Sequence, residues 1–201
     1  MSDTLPPAPV WRPALVLVLA FTVMTGFLYP LTVTGISQAL FPAQANGSLV
    51  AAGGRSVGSE LIGQPFAGEG FFWSRPSATG RMPYDAAAST GSNLGPTNPA
   101  LLARVRAEKA RLEAAHPQAE GPPPLDLLTT SASGLDPHVS PAAAFWQVER
   151  VAAARGLPAA TVRALVERHV EGRQLGLLGE PRVNVLALNL ALERLAAENR
   201  P

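Results

Sequence analysis

Between Arg12 and Arg55 the chain carries no charged side chain. Inside that gap lies ALVLVLAFTVMTGFLYPLTVTGI, Ala14 to Ile36. As a helix, these residues would span about 34 Å, against a bilayer hydrocarbon core of roughly 30 Å. The run therefore predicts one transmembrane helix over 14–36, preceded by a short N-terminus, 1–13, and followed by a domain over 37–201. Pro30 falls late in the run, where a membrane helix tolerates it with a kink near Gly26. Trp11 with Arg12 suits one membrane interface and Tyr29 the other. Ala20, Thr22, Thr25 and Gly26 offer small side chains for helix packing; a lipid-facing role fits them equally well.

The rival reading is a cleaved signal peptide, because Ala43-Gln44-Ala45 fits a small-x-small cleavage site. The run is longer than the usual apolar core of such a peptide, about 7 to 15 residues, which favours a retained anchor. Arg12 stands just before the helix and the next basic residue is Arg55. The positive-inside rule then puts the N-terminus in the cytoplasm and the domain outside.

The charges are close to balanced, 16 basic and 15 acidic for a net +1. That balance argues against nucleic acid, which needs a basic face to neutralise phosphates. The chain has no cysteine, which excludes disulfides, thiol catalysis and cysteine-held metals.

After the apolar run the chain reads as α/β, with short strands and about four helices. NGSLV and SVGSELIGQPF are extended runs around an AGGR turn, and FFWS is a short aromatic strand or an edge packed on the core. Residues 75–99 form a long loop, of the kind that in a compact domain is functional or disordered. Asn98 then caps a helix with Pro99 at its first position. Its apolar face is Leu101, Leu102, Val105 and Leu112, and it fades near His116-Pro117. LDLLTTSAS, Leu125 to Ser133, has strand chemistry. Ser140 followed by Pro141 caps a helix that runs to Gly156. Another starts at Pro158, carries Val162, Leu165, Val166 and Val170, and closes at Gly172. The last, after Pro181, is read as helix, with part of its crowded apolar stretch left open as strand.

Tests for chemistry come out bland. In TSASGLDPHVS, Asp136 and His138 lie two apart in one turn, whereas triad members arrive from separate segments, and no G-x-S-x-G elbow occurs. Asp136 and Ser140 are explained as turn and cap residues. His116, His138 and His169 make no metal-binding spacing. Gly58 to Gly63 mimics a phosphate loop, but Gln64 and Pro65 follow where Lys and Ser or Thr are required. The residues thus describe an anchored, exported, non-catalytic α/β domain of the kind that binds something. A solute-binding protein, anchored or periplasmic, is the alternative, and an anchored hydrolase comes third.

YPLTVTGISQALFPAQANGSL, GSELIGQPF, FFWSRPSAT, GSNLGPTNP, SASGLDPHVSPAAAFWQVERVAAARGL and LGLLGEPRVNVLALNLAL occur in that order. Together they resemble the KdpC family, a component of the bacterial Kdp potassium-transporting P-type ATPase. The resemblance implies a single-span accessory subunit, without catalytic or metal-binding residues of its own. Its partners would be a potassium-translocating subunit, a P-type ATPase catalytic subunit and a small membrane subunit. ATP and K+ would be handled by the complex. This chain has no D-K-T-G-T sequence, so it lacks the site of aspartyl phosphorylation. The resemblance further implies that the family raises the ATP affinity of the catalytic subunit, with Gln147 as the residue nearest that role. The charge-based topology puts Gln147 across the membrane from cytoplasmic ATP, so such an effect would be transmitted through the assembly. The expected docking residues are Ser92, Asn93, Leu94, Gly95 and Asn98 in the long loop. In the turn they are Ser133, Gly134, Leu135, Asp136, Pro137, His138 and Ser140.

Overall fold

The computed structural model describes residues 9–198; the first eight residues of the expected N-terminal segment 1–13 lie outside them. The chain divides into two compact units between Ser48 and Leu49.

The first unit is dominated by one helix, Trp11–Leu40, of 30 residues, with none of its side chains buried. Among the described residues it is the one helix long and apolar enough to cross a membrane. It consists of α1 (Trp11–Val23), a π-helical turn (Met24–Leu28) and α2 (Tyr29–Leu40). At Gly26, where the sequence predicts a kink, the helix widens into this π-turn. Pro30 has no N–H to give the preceding turn, and its ring crowds the carbonyl of Gly26. Widening the turn just before it relieves that conflict, and Tyr29 N–H bonds back to Met24 O. Thr22 and Thr25 return their hydroxyls to Val18 O and Phe21 O, each at 2.7 Å. The helix ends at Phe41, and one further turn, α3 (Pro42–Ala45), follows. Asn46 and Gln38 then exchange side-chain amide bonds at 3.1 and 3.3 Å.

The second unit opens with an antiparallel hairpin, β1 (Leu49–Ala52) and β2 (Arg55–Ser59), turned by Gly53 and Gly54 and bulged between Val50 and Ala51. The long loop carries a single 3₁₀ turn, Ala86–Ala88. Next come α4 (Pro99–Ala115) and α5 (Leu125–Leu128). β3 (His138–Val139), α6 (Pro141–Trp146), α7 (Val148–Arg155) and α8 (Ala159–Arg168) follow. The chain closes with β4 (Val170–Glu171), β5 (Arg182–Asn184) and α9 (Val185–Glu198). The second sheet has the order β3-β5-β4, antiparallel throughout, with Val139 and Val170 both opposite Val183. The core of this unit gathers Phe72, from just before the long loop, with Leu112, Leu127, Val148, Val166 and Leu188 from the helices.

The caps come out as expected. Asn98 accepts from Ala100 N–H, Ser140 accepts from Ala143 N–H, and Gly156 closes α7 at φ +63°. Four readings change. Leu125–Leu128 is one helical turn, not a strand; its Asp126 carboxylate binds Ser140 N–H and Oγ at 2.7 and 3.1 Å. The helix after Ser140 breaks at Gln147, whose N–H bonds Ala144 O while its own Nε2 takes Ala143 O, the partner a continuing α-helix would have used. Val170 lies in β4, because the helix before it ends at Arg168. On α4 only Leu112 is buried; Leu102 is exposed and Leu101 and Val105 are half-buried. The stretch after Pro181, left open between helix and strand, is β5 followed by α9.

Candidate docking surface

The long loop and the turn expected to dock are fastened to each other. Ser77 Oγ donates to Gly134 O (2.7 Å) and Ser89 Oγ to Ser133 O (3.0 Å). Gly63 N–H donates to Leu135 O (2.8 Å), and Tyr84 Oη donates to Arg75 O. Gly134 is buried at φ +69°, and a Cβ there would stand 2.6 Å from Thr79 Cγ2 and from Thr90 O. The loop is therefore held by its own hydroxyls against the turn.

At the turn, Arg75 Nη1 meets Asp136 Oδ2 at 3.1 Å, and His138 offers both its backbone N–H (3.0 Å) and Nδ1 (3.3 Å) to Asp136 Oδ1. Burial pulls the Asp136 carboxyl upward. The His138 bonds and the Arg75 charge outweigh it, so its pKa lies below the ordinary value. Burial pushes the Tyr84 hydroxyl up to about 12. Ser140 Oγ donates to Asp126 and accepts from Ala143 N–H, so Ser140 serves as a helix cap directly after the turn that Asp136 and His138 form. Asp136, His138, Ser140, Arg75 and Arg182 line an open cleft of about 330 Å³.

Of the expected docking residues, Asn93, Gly95 and Ser133 are exposed. Ser92, Leu94, Asn98, Leu135, Asp136, His138 and Ser140 are half-buried, and Gly134 and Pro137 are buried. Ser92 shares a cleft with Thr129 and Thr130, beside the turn. Asn98 serves α4 as its cap.

Gln147 has no exposed surface. Its Oε1 accepts from Trp73 N–H (2.7 Å) and Arg150 Nη2 (2.9 Å). Its Nε2 donates to Trp73 O (3.1 Å) and Ala143 O (3.2 Å), which exhausts the amide's capacity. Asn189, which sequence reasoning passed over, does the same one residue earlier: Phe72 N–H donates to its Oδ1 (2.8 Å), and its Nδ2 donates to Phe72 O (2.9 Å). FFWS is thus packed on the core as expected, but its backbone pairs with two side-chain amides instead of a strand.

Arg150 continues the clamp. It donates to Glu69 O, to Phe71 O (2.9 Å) and to His116 Nε2 (2.7 Å), and its guanidinium lies 4.1 Å from the Trp73 ring centre. Since arginine only donates, His116 Nε2 accepts, and its Nδ1–H goes to Leu112 O at 2.7 Å. The imidazole is therefore neutral. Burial, helped by the charges of Arg150 and Arg111 and opposed by the Leu112 bond, lowers its pKa to about 4.

One more surface was not singled out from the sequence. The β4–β5 connection exposes Leu175, Leu177 and Leu178 by 91%, 80% and 62%. LGLLG, an apolar group punctuated by glycines, was the available signal.

The family model for KdpC, "K+-transporting ATPase, c chain", matches residues 11–194. The chain belongs to the KdpC family. A potassium-transporting ATPase KdpC subunit from Sorangium cellulosum (strain So ce56) is 63% identical over 182 residues, covering 90% of this chain and 96% of that protein. The KdpC subunit of Polaromonas naphthalenivorans (strain CJ2) is 59% identical over 192 residues, 96% and 98% of the two chains. That of Methylococcus capsulatus (strain ATCC 33009 / NCIMB 11132 / Bath) is 56% identical over 185 residues, 92% and 97%. The KdpC match takes in the apolar helix, the fastened loop and turn, and the leucine tip.

Proposed function

We propose that this chain is a non-catalytic accessory subunit of an ATP-driven potassium-uptake complex. In this reading it is anchored in the cell inner membrane by Trp11–Leu40, with its N-terminus cytoplasmic and its α/β domain outside. The observation that carries the proposal is the family match running unbroken from the apolar helix through the domain. The charge distribution around the helix supports the orientation, with Arg12 before it and no other basic residue until Arg55.

Its partners are the potassium-translocating, ATPase and small membrane subunits. The domain docks through the fastened loop and turn, which offer Asn93, Gly95, Ser133 and the open sides of Asp136 and His138. Any influence on ATP affinity passes through the assembly: a glutamine with no exposed surface and every hydrogen bond used within the chain has nothing to offer a nucleotide. Gln147 is a packing residue in this account.

The test is co-purification. The C-terminally tagged chain, extracted in mild detergent, is expected to bring a P-type ATPase whose potassium-stimulated hydrolysis collapses when the chain is deleted. Elution of the chain alone from membranes containing that ATPase would refute the reading and favour a solute-binding protein. Replacing Asp136 and His138 together by alanine tests the docking turn. Unchanged assembly and uptake with a folded domain would remove the turn from the interface.

A further inference from the structure

The leucine tip is built in a way that folding of this chain does not explain. Leu175 and Gly176 both have positive φ, 54° and 73°, and Leu177 N–H closes the turn onto Gln174 O at 3.1 Å. Gln174 and Leu178 pair across a three-residue connection, whose first position at positive φ suits Gly or Asn, because a Cβ there crowds the backbone. Here a leucine occupies it, and its side chain is 91% exposed, so no internal packing offsets the strain.

The stem beneath is firmly tied. Gln174 N–H donates to Leu178 O (2.8 Å) and Leu178 N–H to Gln174 O (2.9 Å). Arg173 meets Glu180 at 2.7 Å and Arg182 meets Glu171 at 2.9 Å across the hairpin. The result is a small apolar knob on an ordered stalk, not a slack loop.

We infer that this knob, Leu175, Leu177 and Leu178, seats in an uncharged apolar socket on another member of the potassium-transporting assembly. The inference rests on the accessory-subunit reading and adds a second contact to the one made by the loop and turn. Charge decides between a protein socket and a lipid surface. Segments that enter membrane interfaces bring unpaired Lys or Arg toward anionic headgroups, with aromatic residues at the boundary. From Glu171 to Arg182 the hairpin has two acids and two arginines, all four paired across the stem, and no aromatic residue. A neutral collar around an apolar tip complements a neutral apolar pocket.

The experiment uses the full complex in native membranes, with Leu177→p-benzoylphenylalanine as a photo-crosslinker. Illumination is expected to join this chain to another member of the same assembly, identified by mass spectrometry. A triple Leu175→Asn, Leu177→Asn, Leu178→Asn variant is expected to retain about tenfold less of the other subunits on purification, the loss of a small hot spot. An adduct to lipid alone, to a second copy of this chain, or no adduct in a complex that still co-purifies would each overturn the inference and leave the accessory role standing. If the unaltered chain brings no ATPase subunit, the accessory role falls and the socket with it.

Discussion

Gly68–Trp73 and the hairpin tip from Arg173 to Glu180 are alike on paper: short, glycine-flanked and rich in large apolar side chains. In the fold they are opposites. The first runs from exposed Gly68 and Glu69 to buried Phe72 and Trp73, whose peptide groups need partners, and side chains supply them: Asn189 for Phe72 and Gln147 for Trp73, with Arg155 Nε reaching half-buried Gly70 O at 2.7 Å. The second satisfies its own backbone within the turn and leaves its leucines in solvent. Where apolar residues point is thus decided by who answers the backbone. An apolar group whose backbone is self-sufficient is free to serve another molecule.

The sharpest way to break the contrast is to unmake the inner clamp. Gln147→Leu leaves Trp73 N–H and C=O buried without partners and takes an acceptor from Arg150, at about 4 kcal/mol. Thermal unfolding of the full chain in detergent should show a fall on the order of 10 °C. Asn189→Leu strands only the Phe72 pair and should cost about 3 kcal/mol in the same assay. If either variant unfolds like the parent, the amides do not hold the segment.

Acid tests the clamp without mutation. His116 titrates near 4 when folded and near its ordinary 6.5 when unfolded, so the unfolded chain binds more protons between those values. Stability is fully present above about pH 6.5 and falls by roughly 2–3 kcal/mol as pH drops through about 4. His116→Gln should flatten that part of the profile. Asp136, whose folded pKa is also depressed, adds a loss only at still lower pH, as its carboxylate protonates.

The smallest effect runs the other way and sharpens the comparison. Leu175→Asn suits the positive φ and should raise unfolding stability by about 1 kcal/mol. A leucine that helped the fold would give a loss instead.

The helix starts at Asn98 and Ser140 and the stop at Gly156 were legible because a cap is decided within a few residues. So was the apolar span, decided by length and the absence of charge. The clamp was not: Asn189 lies far along the chain from Phe72, and nothing local distinguishes an amide that caps from one that substitutes for a strand. LDLL misled because alternating apolar residues suit a strand, while Asp126 was needed at a helical turn to hold Ser140. Among docking candidates, sequence pointed to polar turns, several of which proved occupied by their own chain. It passed over the leucines because apolar residues are expected inside.

The π-turn at Met24–Leu28 has a consequence for how the anchor meets its neighbours. Such a turn adds one residue to the winding, so the half beginning at Tyr29 is rotated by about 100° from where an uninterrupted helix would place it. A stripe that reads as continuous in the sequence wraps partway round the rod in space. A cysteine scan through the span should therefore return two accessibility waves out of phase. A straight neighbouring helix would feel one face of the anchor near Val18 and a different one near Val33.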